Sequence, residues 1–166
     1  MFTAKDVMAL REMSGAGMMD CKKALVECDG DMDKAMDYLR EKSLAASAKK
    51  ASRIAAEGVV SSYVSPDSKT GVIAEVNCET DFVAKTDDFK ALVDTVAKLV
   101  AEQDPQDVDA LMALDTGDGT VAEMITRAVA KIGEKITIRR FARSHVEGGM
   151  VDCYVHLGGK IGVLVE

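Results

Sequence analysis

The chain has few aromatic residues and few histidines, and both shortages limit what it can be. Its 166 residues include no Trp, three Tyr, four Phe and two His. The core must therefore be built from aliphatic residues and from ten Met. No serine or cysteine motif surrounds His145 or His156, so a catalytic triad has no support and we expect no enzyme.

Long apolar runs and paired cysteines are also missing. No run approaches the roughly 20 apolar residues that span a bilayer, and the start lacks the apolar region of a signal peptide. The four cysteines form neither a Cys-x-x-Cys pair nor a metal-binding spacing. We expect reduced, mostly buried thiols in a cytoplasmic protein that has no contact with a membrane.

The chain lacks an excess of basic residues as well. Its net charge is −7, and one stretch, 101–124, holds seven carboxylates and no base. The rest of the chain is balanced, with 21 acidic and 21 basic residues. A dedicated nucleic-acid binder needs a basic face, so we expect no direct binding to nucleic acid.

The first third of the sequence is helical in character. Val7, Met8 and Leu10, with Met13, predict one side of a first helix, which ends at Ser14-Gly15-Ala16-Gly17. Two further helices follow, separated by Asp29-Gly30. The stretch 43–57, rich in Ala, Lys and Ser, predicts a helical connector. Residues 1–55 are therefore predicted to form a three-helix domain with its connector.

The character changes to mixed α and β after residue 56. Val59–Val64 and Gly71–Val76 are β-rich runs that predict a hairpin. Apolar periodicity predicts helices from about Asp88 and over 121–132, with a short helix at 107–114 between them. Ile136–Phe141 alternates like a half-buried strand. Residues 56–143 thus predict an α+β core subdomain with an antiparallel sheet packed on helices.

The last segment contains an internal repeat. Residues 63–75 reappear as residues 154–166 at a constant offset of 91, and six of thirteen aligned positions are identical. Residues 144–166 are therefore expected to begin a second, related subdomain. In the first copy the chain continues into Asn77–Phe82, and in the second it ends at Glu166.

The corner Thr80-Asp81-Phe82-Val83, between a predicted strand and a predicted helix, is the strongest candidate site. Thr80 and Asp81 are capping residues, and a large apolar ring follows them. Phe82 either fills the local core or contacts a partner. Asp81, Asp87 and Asp88 favour a helix N-terminus electrostatically, and they lack the spacing of a Ca²⁺ loop, so we expect no metal.

Two adjacent methionines form a second candidate. Met18 and Met19 begin the second predicted helix, and neighbouring residues on a helix cannot both face one core. At least one should be exposed and could contact a partner. The preceding glycine-rich segment lacks the spacing of a phosphate-binding loop and follows a helix instead of a strand, so a turn between helices is the simpler interpretation.

Three segments together resemble the bacterial elongation factor Ts family. They are Leu10–Leu25, Glu75–Ala84 and Lys131–Ile136. The resemblance covers essentially the whole chain and implies a helical domain similar to ubiquitin-associated domains, then a core of two related subdomains. It also implies a guanine nucleotide exchange factor for the GTPase elongation factor Tu. Members with two core subdomains continue well beyond Glu166, so we expect this chain to end within the second.

The resemblance implies site residues but no cofactor. Phe82 would be a wedge near the Mg²⁺ and phosphate site of the GTPase, with Thr80, Asp81 and Val83 beside it. The other contacts it implies are Arg11, Met18, Met19, Ile132, Gly133 and His156. The alternative is an adaptor, similar to ubiquitin-associated domains, that binds a protein partner without exchange activity.

Overall fold

The computed structural model describes residues 2–166 and has the predicted α+β architecture. The helices are α1 (Ala4–Ser14), α2 (Met18–Glu27), α3 (Met32–Lys50), α4 (Asp81–Ala84), α5 (Asp87–Gln103), α6 (Val108–Ala113) and α7 (Val121–Ile132). The strands are β1 (Glu57–Val64), β2 (Thr70–Cys78), β3 (Thr137–His145), β4 (Asp152–His156) and β5 (Ile161–Val165). Over the described range, each helix is too short or too polar to cross a membrane.

The chain divides into two compact units. The helical unit comprises the residues up to Ser52 together with Glu123–Lys135, and the sheet unit comprises Arg53–Ala122 together with Ile136–Glu166. The division at residues 55 and 143 that the sequence suggested stays a prediction.

The helical unit is built around α1, α2 and α3. At its start, the Thr3 amide donates to Asp6 Oδ2 at 2.7 Å, and this bond and the Thr3 hydroxyl hold the pKa of Asp6 below its ordinary value. Gly15, at φ 66°, ends α1 in the left-handed conformation that glycine adopts readily. The buried core residues are Val7, Leu10, Cys21, Ala24, Leu25, Ala35 and Leu39.

Two predictions about this unit are corrected. Met8 and Met13 do not share the buried side of α1 with Val7 and Leu10. Met8 points about 100° away from Val7, because successive helical residues are separated by that angle, and Met13 lies exposed in the last turn. The predicted connector is not a separate helix either. Its Ala, Lys and Ser residues contain no breaker, so α3 continues to Lys50, and the chain is non-helical before β1 begins at Glu57.

The sheet unit contains a three-stranded antiparallel sheet in the order β1-β2-β3. Val72, Ala74 and Val76 of β2 alternate onto one face and are buried there. Helix α5 packs on β1 and β2 and buries Phe89, Val93, Val96 and Val100. These contacts form the core of the unit and fix the connection between β2 and α5.

The second hairpin, β4–β5, repeats the first in register as well as in sequence. Tyr63 pairs with Val72 in the first hairpin, and Tyr154 pairs with Val163 in the second, each residue shifted by the offset of 91. The hairpin predicted from the repeat is therefore present, paired as its first copy is.

The two hairpins pack on each other through equivalent residues. A Cβ on Gly71 would lie 3.1 Å from Val151 Cγ2 and 3.4 Å from Leu164 Cδ1. A Cβ on Gly162 would lie 2.5 Å from Val60 Cγ1 and 3.8 Å from Ile73 Cγ2. The two glycines are equivalent in the repeat, and so are the residues that they face: Val151 corresponds to Val60, and Leu164 corresponds to Ile73. The packing has approximate two-fold symmetry, and the two glycines let the hairpins approach closely.

Candidate partner-binding site

The corner between β2 and α5 is held by local hydrogen bonds. The Thr80 side chain caps α4 by accepting from the Val83 amide at 3.3 Å, and the Cys78 thiol donates to the Thr80 carbonyl at 3.2 Å. Ala84 at the end of α4 is buried, and Val83 is half-buried. Thr86 then caps α5 by accepting from the Phe89 amide at 3.3 Å. These hydrogen bonds and the buried Ala84 hold the backbone of the corner in place between β2 and α5.

Phe82 projects from this corner into solvent. Its side chain is 79% exposed, whereas Phe89, seven positions later, is completely buried under the sheet. The hypothesis that Phe82 fills the local core is therefore wrong, because Phe89 occupies that place. An exposed phenylalanine on a rigid helical turn is a feature that interfaces use.

Asp81 is the charged neighbour of Phe82. Lys85 Nζ lies 2.6 Å from Asp81 Oδ2, and this hydrogen bond holds the pKa of the Asp81 carboxyl below its ordinary value, with the positive charge of Lys160 adding to the effect. Asp87 and Asp88 lie in the first turn of α5, where negative charge favours the helix. Within residues 2–166, no three potential ligand side chains are placed to hold a metal ion.

The helical unit carries the methionine pair. Met18 is 41% exposed and Met19 is 74% exposed, so both reach solvent, where the sequence required only one. Arg11, on α1, is exposed too. Sequence reasoning missed Met8 and Met13 as exposed residues, although a stricter helical projection of α1 would have found Met8.

Ile132 and Gly133 lie at the end of α7, also in the helical unit. Ile132 is half-buried. Gly133 has φ 89° and donates its amide to the Val129 carbonyl at 3.0 Å, which ends the helix. The candidate residues are thus distributed over both units: five lie in the helical unit, and the corner and His156 lie in the sheet unit.

His156 ends β4 and is held by Tyr154. The Tyr154 hydroxyl lies 2.8 Å from His156 Nδ1, and the two rings stack with their centroids 5.7 Å apart. Sequence reasoning missed this contribution of Tyr154. The signal was available, because residues two apart in a strand point to the same face.

The turn after His156 is fastened to β1. The Val60 amide donates to the Gly159 carbonyl at 2.7 Å. Lys160 Nζ lies 2.7 Å from Glu57 Oε2, and this hydrogen bond raises the pKa of Lys160. Glu57 also pairs in the sheet with Cys78, at the base of the corner. One end of β1 therefore supports both the corner and the turn.

Comparison with known proteins extends the resemblance in the sequence. Residues 79–166, which contain the corner, match the family described as "Elongation factor TS". The whole chain is 57% identical over 168 residues to elongation factor Ts of Clostridium perfringens, covering 55% of that protein. It is 53% identical over 169 residues to the protein of Clostridium tetani, covering 56% of it.

The chain thus spans about half the length of the curated relatives it matches. The whole-chain matches include the corner, the end of α7 and both hairpins. The family match extends over more than half of the residues and reaches the last of them. The chain therefore belongs to the elongation factor Ts family.

Proposed function

We propose that this chain acts in translation elongation by promoting the release of GDP from elongation factor Tu, without catalysing a chemical step. Membership of the elongation factor Ts family supports the general role. The observation that carries the specific role is the exposure of Phe82 on a capped, one-turn helix. An exchange factor needs a binding surface and no nucleophile, base or metal.

The mechanism follows from thermodynamic linkage. A protein that binds the nucleotide-free GTPase more tightly than the nucleotide-bound form lowers the nucleotide affinity by the same factor. In this proposal, Phe82 enters the GTPase next to its Mg²⁺ and phosphate site. Protein interiors are densely packed, so an inserted ring displaces the groups around it and weakens their hold on the ligand.

The construction of the corner suits such an insertion. The Thr80 cap and the buried Ala84 fix the direction of Phe82 before any partner arrives. A contact that is already ordered loses less conformational entropy on binding. Lys85 pairs with Asp81 on the surface, and a paired carboxylate costs less to bring near another protein than an unpaired one.

The remaining candidate residues would enlarge the interface. Arg11, Met18 and Met19 would dock the helical unit on the nucleotide-binding domain of the GTPase, and flexible methionines suit a surface that changes between nucleotide states. Ile132 and Gly133 would add contacts at the end of α7. His156, oriented by Tyr154, would contribute a polar contact from the sheet unit.

The test is release of a fluorescent GDP analogue from purified elongation factor Tu. We expect the chain to accelerate release and Phe82→Ala to reduce the acceleration at least about tenfold, since such a ring buried in an interface contributes about 2 kcal/mol or more. The free energy of unfolding should change by less than about 0.5 kcal/mol, because the ring is exposed.

Two control variants sharpen this test. Ile54→Ala shortens an apolar side chain in the same unit that is as exposed as Phe82, and should leave exchange unchanged. Phe89→Ala should destabilise the fold by about 3–5 kcal/mol, as expected for a buried ring. If Phe82→Ala behaves like Phe89→Ala in stability, or like Ile54→Ala in exchange, the wedge mechanism is wrong.

The adaptor remains a second candidate because of the exposed methionines of the helical unit. Met8, Met13, Met18 and Met19 are each more than 40% exposed, and such residues suit adaptable protein contacts. The adaptor predicts that residues 1–55 alone bind a protein partner and that the chain does not accelerate release of GDP. It also predicts that Met19→Ser abolishes binding, whereas Phe82→Ala leaves binding intact.

A further inference from the structure

The turn between β4 and β5 places a leucine in an unfavourable backbone conformation. Leu157, Gly158 and Gly159 have φ values of 50°, 63° and 97°, three consecutive residues in the left-handed region. Glycine adopts this region freely, but leucine has a Cβ that crowds the backbone and no polar group to compensate. The turn conformation therefore gives no reason for a leucine at this position.

Burial gives no reason either. The Leu157 side chain is 68% exposed. The first hairpin serves as an internal comparison, because its turn occupies the same place in the repeat and has Pro66 at the position equivalent to Leu157. That turn is polar: Asp67 Oδ1 accepts from the Ser65 hydroxyl at 2.6 Å and from the Lys69 amide at 3.0 Å. A hairpin of this register forms its turn without a leucine at its tip and without a residue other than glycine at positive φ in that position.

Despite its strained conformation, the turn is firmly held. The His156 carbonyl accepts from the amides of Gly159 at 3.2 Å and Lys160 at 3.1 Å. Gly159 lies so close to β1 that a Cβ on it would be 2.7 Å from Val59 Cβ. Because of this contact and the hydrogen bond between the Val60 amide and the Gly159 carbonyl, the turn that carries Leu157 is anchored to β1.

The same segment of β1 supports the corner that carries Phe82. Helix α4 packs on β1, and Glu57 joins the two features by pairing with Cys78 and bridging to Lys160. The charge of Lys160 also lowers the pKa of Asp81, as expected if the turn and the corner are neighbours. Two exposed apolar side chains, Phe82 and Leu157, thus extend from loops anchored to residues 57–60.

We propose that Leu157 is a second apolar contact with the GTPase, adjacent to the contact made by Phe82. This inference rests on the proposed function and adds a residue to its interface. The rigid turn would present Leu157 at little entropic cost, in the manner of a preorganised binding loop. The strain of its backbone conformation is consistent with a position selected for contact and not for folding.

The experiment measures stability and affinity together. Leu157→Asn replaces the apolar side chain by a polar one that tolerates positive φ, so the melting temperature should stay the same or rise. The dissociation constant for nucleotide-free elongation factor Tu should rise about tenfold if a buried leucine contact is lost. Leu157→Met, which keeps an apolar side chain, should bind within about threefold of the unchanged chain.

Pro66→Asn is the control in the first hairpin, because it places the same residue at the equivalent position of the other turn. It should leave the affinity unchanged. If Leu157→Asn binds as tightly as the unchanged chain, or if Pro66→Asn weakens binding equally, the inference is wrong. The inference is also wrong if Leu157→Asn weakens binding and lowers the melting temperature as well, because the lost affinity then reflects a less stable fold.

Phe82→Ala separates failure of this inference from failure of the proposed function. If Phe82→Ala weakens binding while Leu157→Asn is silent, the exchange function stands and only the second contact is wrong. If the unchanged chain neither binds the GTPase nor accelerates nucleotide release, the proposed function fails and this inference fails with it.

Discussion

The two hairpins share a register and a packing mode, but only one of them is covered on both faces. Val72 and Ala74 of the first hairpin are 0% and 1% exposed, whereas Val163 and Val165, their equivalents in the second, are 43% and 57% exposed. The first pair lies under α5, and no described element covers the second pair. The repeat in the sequence specifies how the strands pair and which face each hairpin turns towards the other hairpin. Burial of the opposite, outer face depends on an element outside the repeat, which is α5 in the first copy.

The largest expected difference between the two copies concerns Gly58 and Gly149, which are equivalent at the offset of 91. A Cβ on Gly58 would lie 2.2 Å from the Val76 carbonyl oxygen, and its φ is 146°. Both a backbone clash and a strained conformation would follow. We expect Gly58→Ala to lower the free energy of unfolding by at least about 3 kcal/mol, or to prevent folding.

Gly149→Ala is the matched variant in the second copy. Its φ is 79°, but nothing lies within 4 Å of the added Cβ, so only the backbone strain remains. We expect a loss of about 1–2 kcal/mol. Urea denaturation of both variants measures the difference, and equal losses would show that the close approach at Gly58 is not a constraint of the fold.

A smaller difference is expected on the outer faces. Val72→Thr places a hydroxyl under α5 in a position with no exposure, and we expect a loss of about 1–3 kcal/mol. Val163→Thr makes the same change on the exposed face of the second hairpin, where a surface substitution changes stability by less than about 0.5 kcal/mol. A loss from Val163→Thr that matches Val72→Thr would mean that the outer face of the second hairpin is covered in solution.

The sequence predicted most of the elements because their signals are local. Apolar periodicity located α5 and α7, and the β-rich runs located the first hairpin. The exact repeat located the second hairpin. The length of α3 was missed, because an Ala-, Lys- and Ser-rich stretch has the same composition whether it forms its own helix or extends the preceding one.

The candidate site was predictable in part. Capping residues around Phe82 marked a corner, but only packing decides which of Phe82 and Phe89 fills the core. The attachment of the turn after His156 to β1 could not be predicted. It depends on contacts between segments about 100 residues apart, such as the ion pair of Lys160 with Glu57, and local sequence patterns carry no record of those contacts.

The smallest expected difference lies between the two turns and depends on pH. Asp67 in the first turn has its pKa lowered from the ordinary value of 3.8, mainly by the Ser65 hydroxyl and then by the Lys69 amide. The equivalent turn of the second hairpin, Leu157-Gly158-Gly159, has no group that titrates. A carboxyl whose pKa is lowered by folding stabilises the protein above its unfolded value, and this stabilisation is lost as the pH falls through the folded value.

Asp67→Asn resembles the protonated carboxyl at every pH, so it isolates this contribution. We expect the unchanged chain to have a slightly higher urea midpoint than Asp67→Asn at pH 7, and the two midpoints to converge as the pH falls below 3.8. For Leu157→Asn, the difference between its urea midpoint and that of the unchanged chain should not vary with pH in this way. If the Asp67→Asn difference widens at low pH, the Asp67 carboxylate destabilises the turn, and the polar bonds of the first hairpin do not account for its conformation.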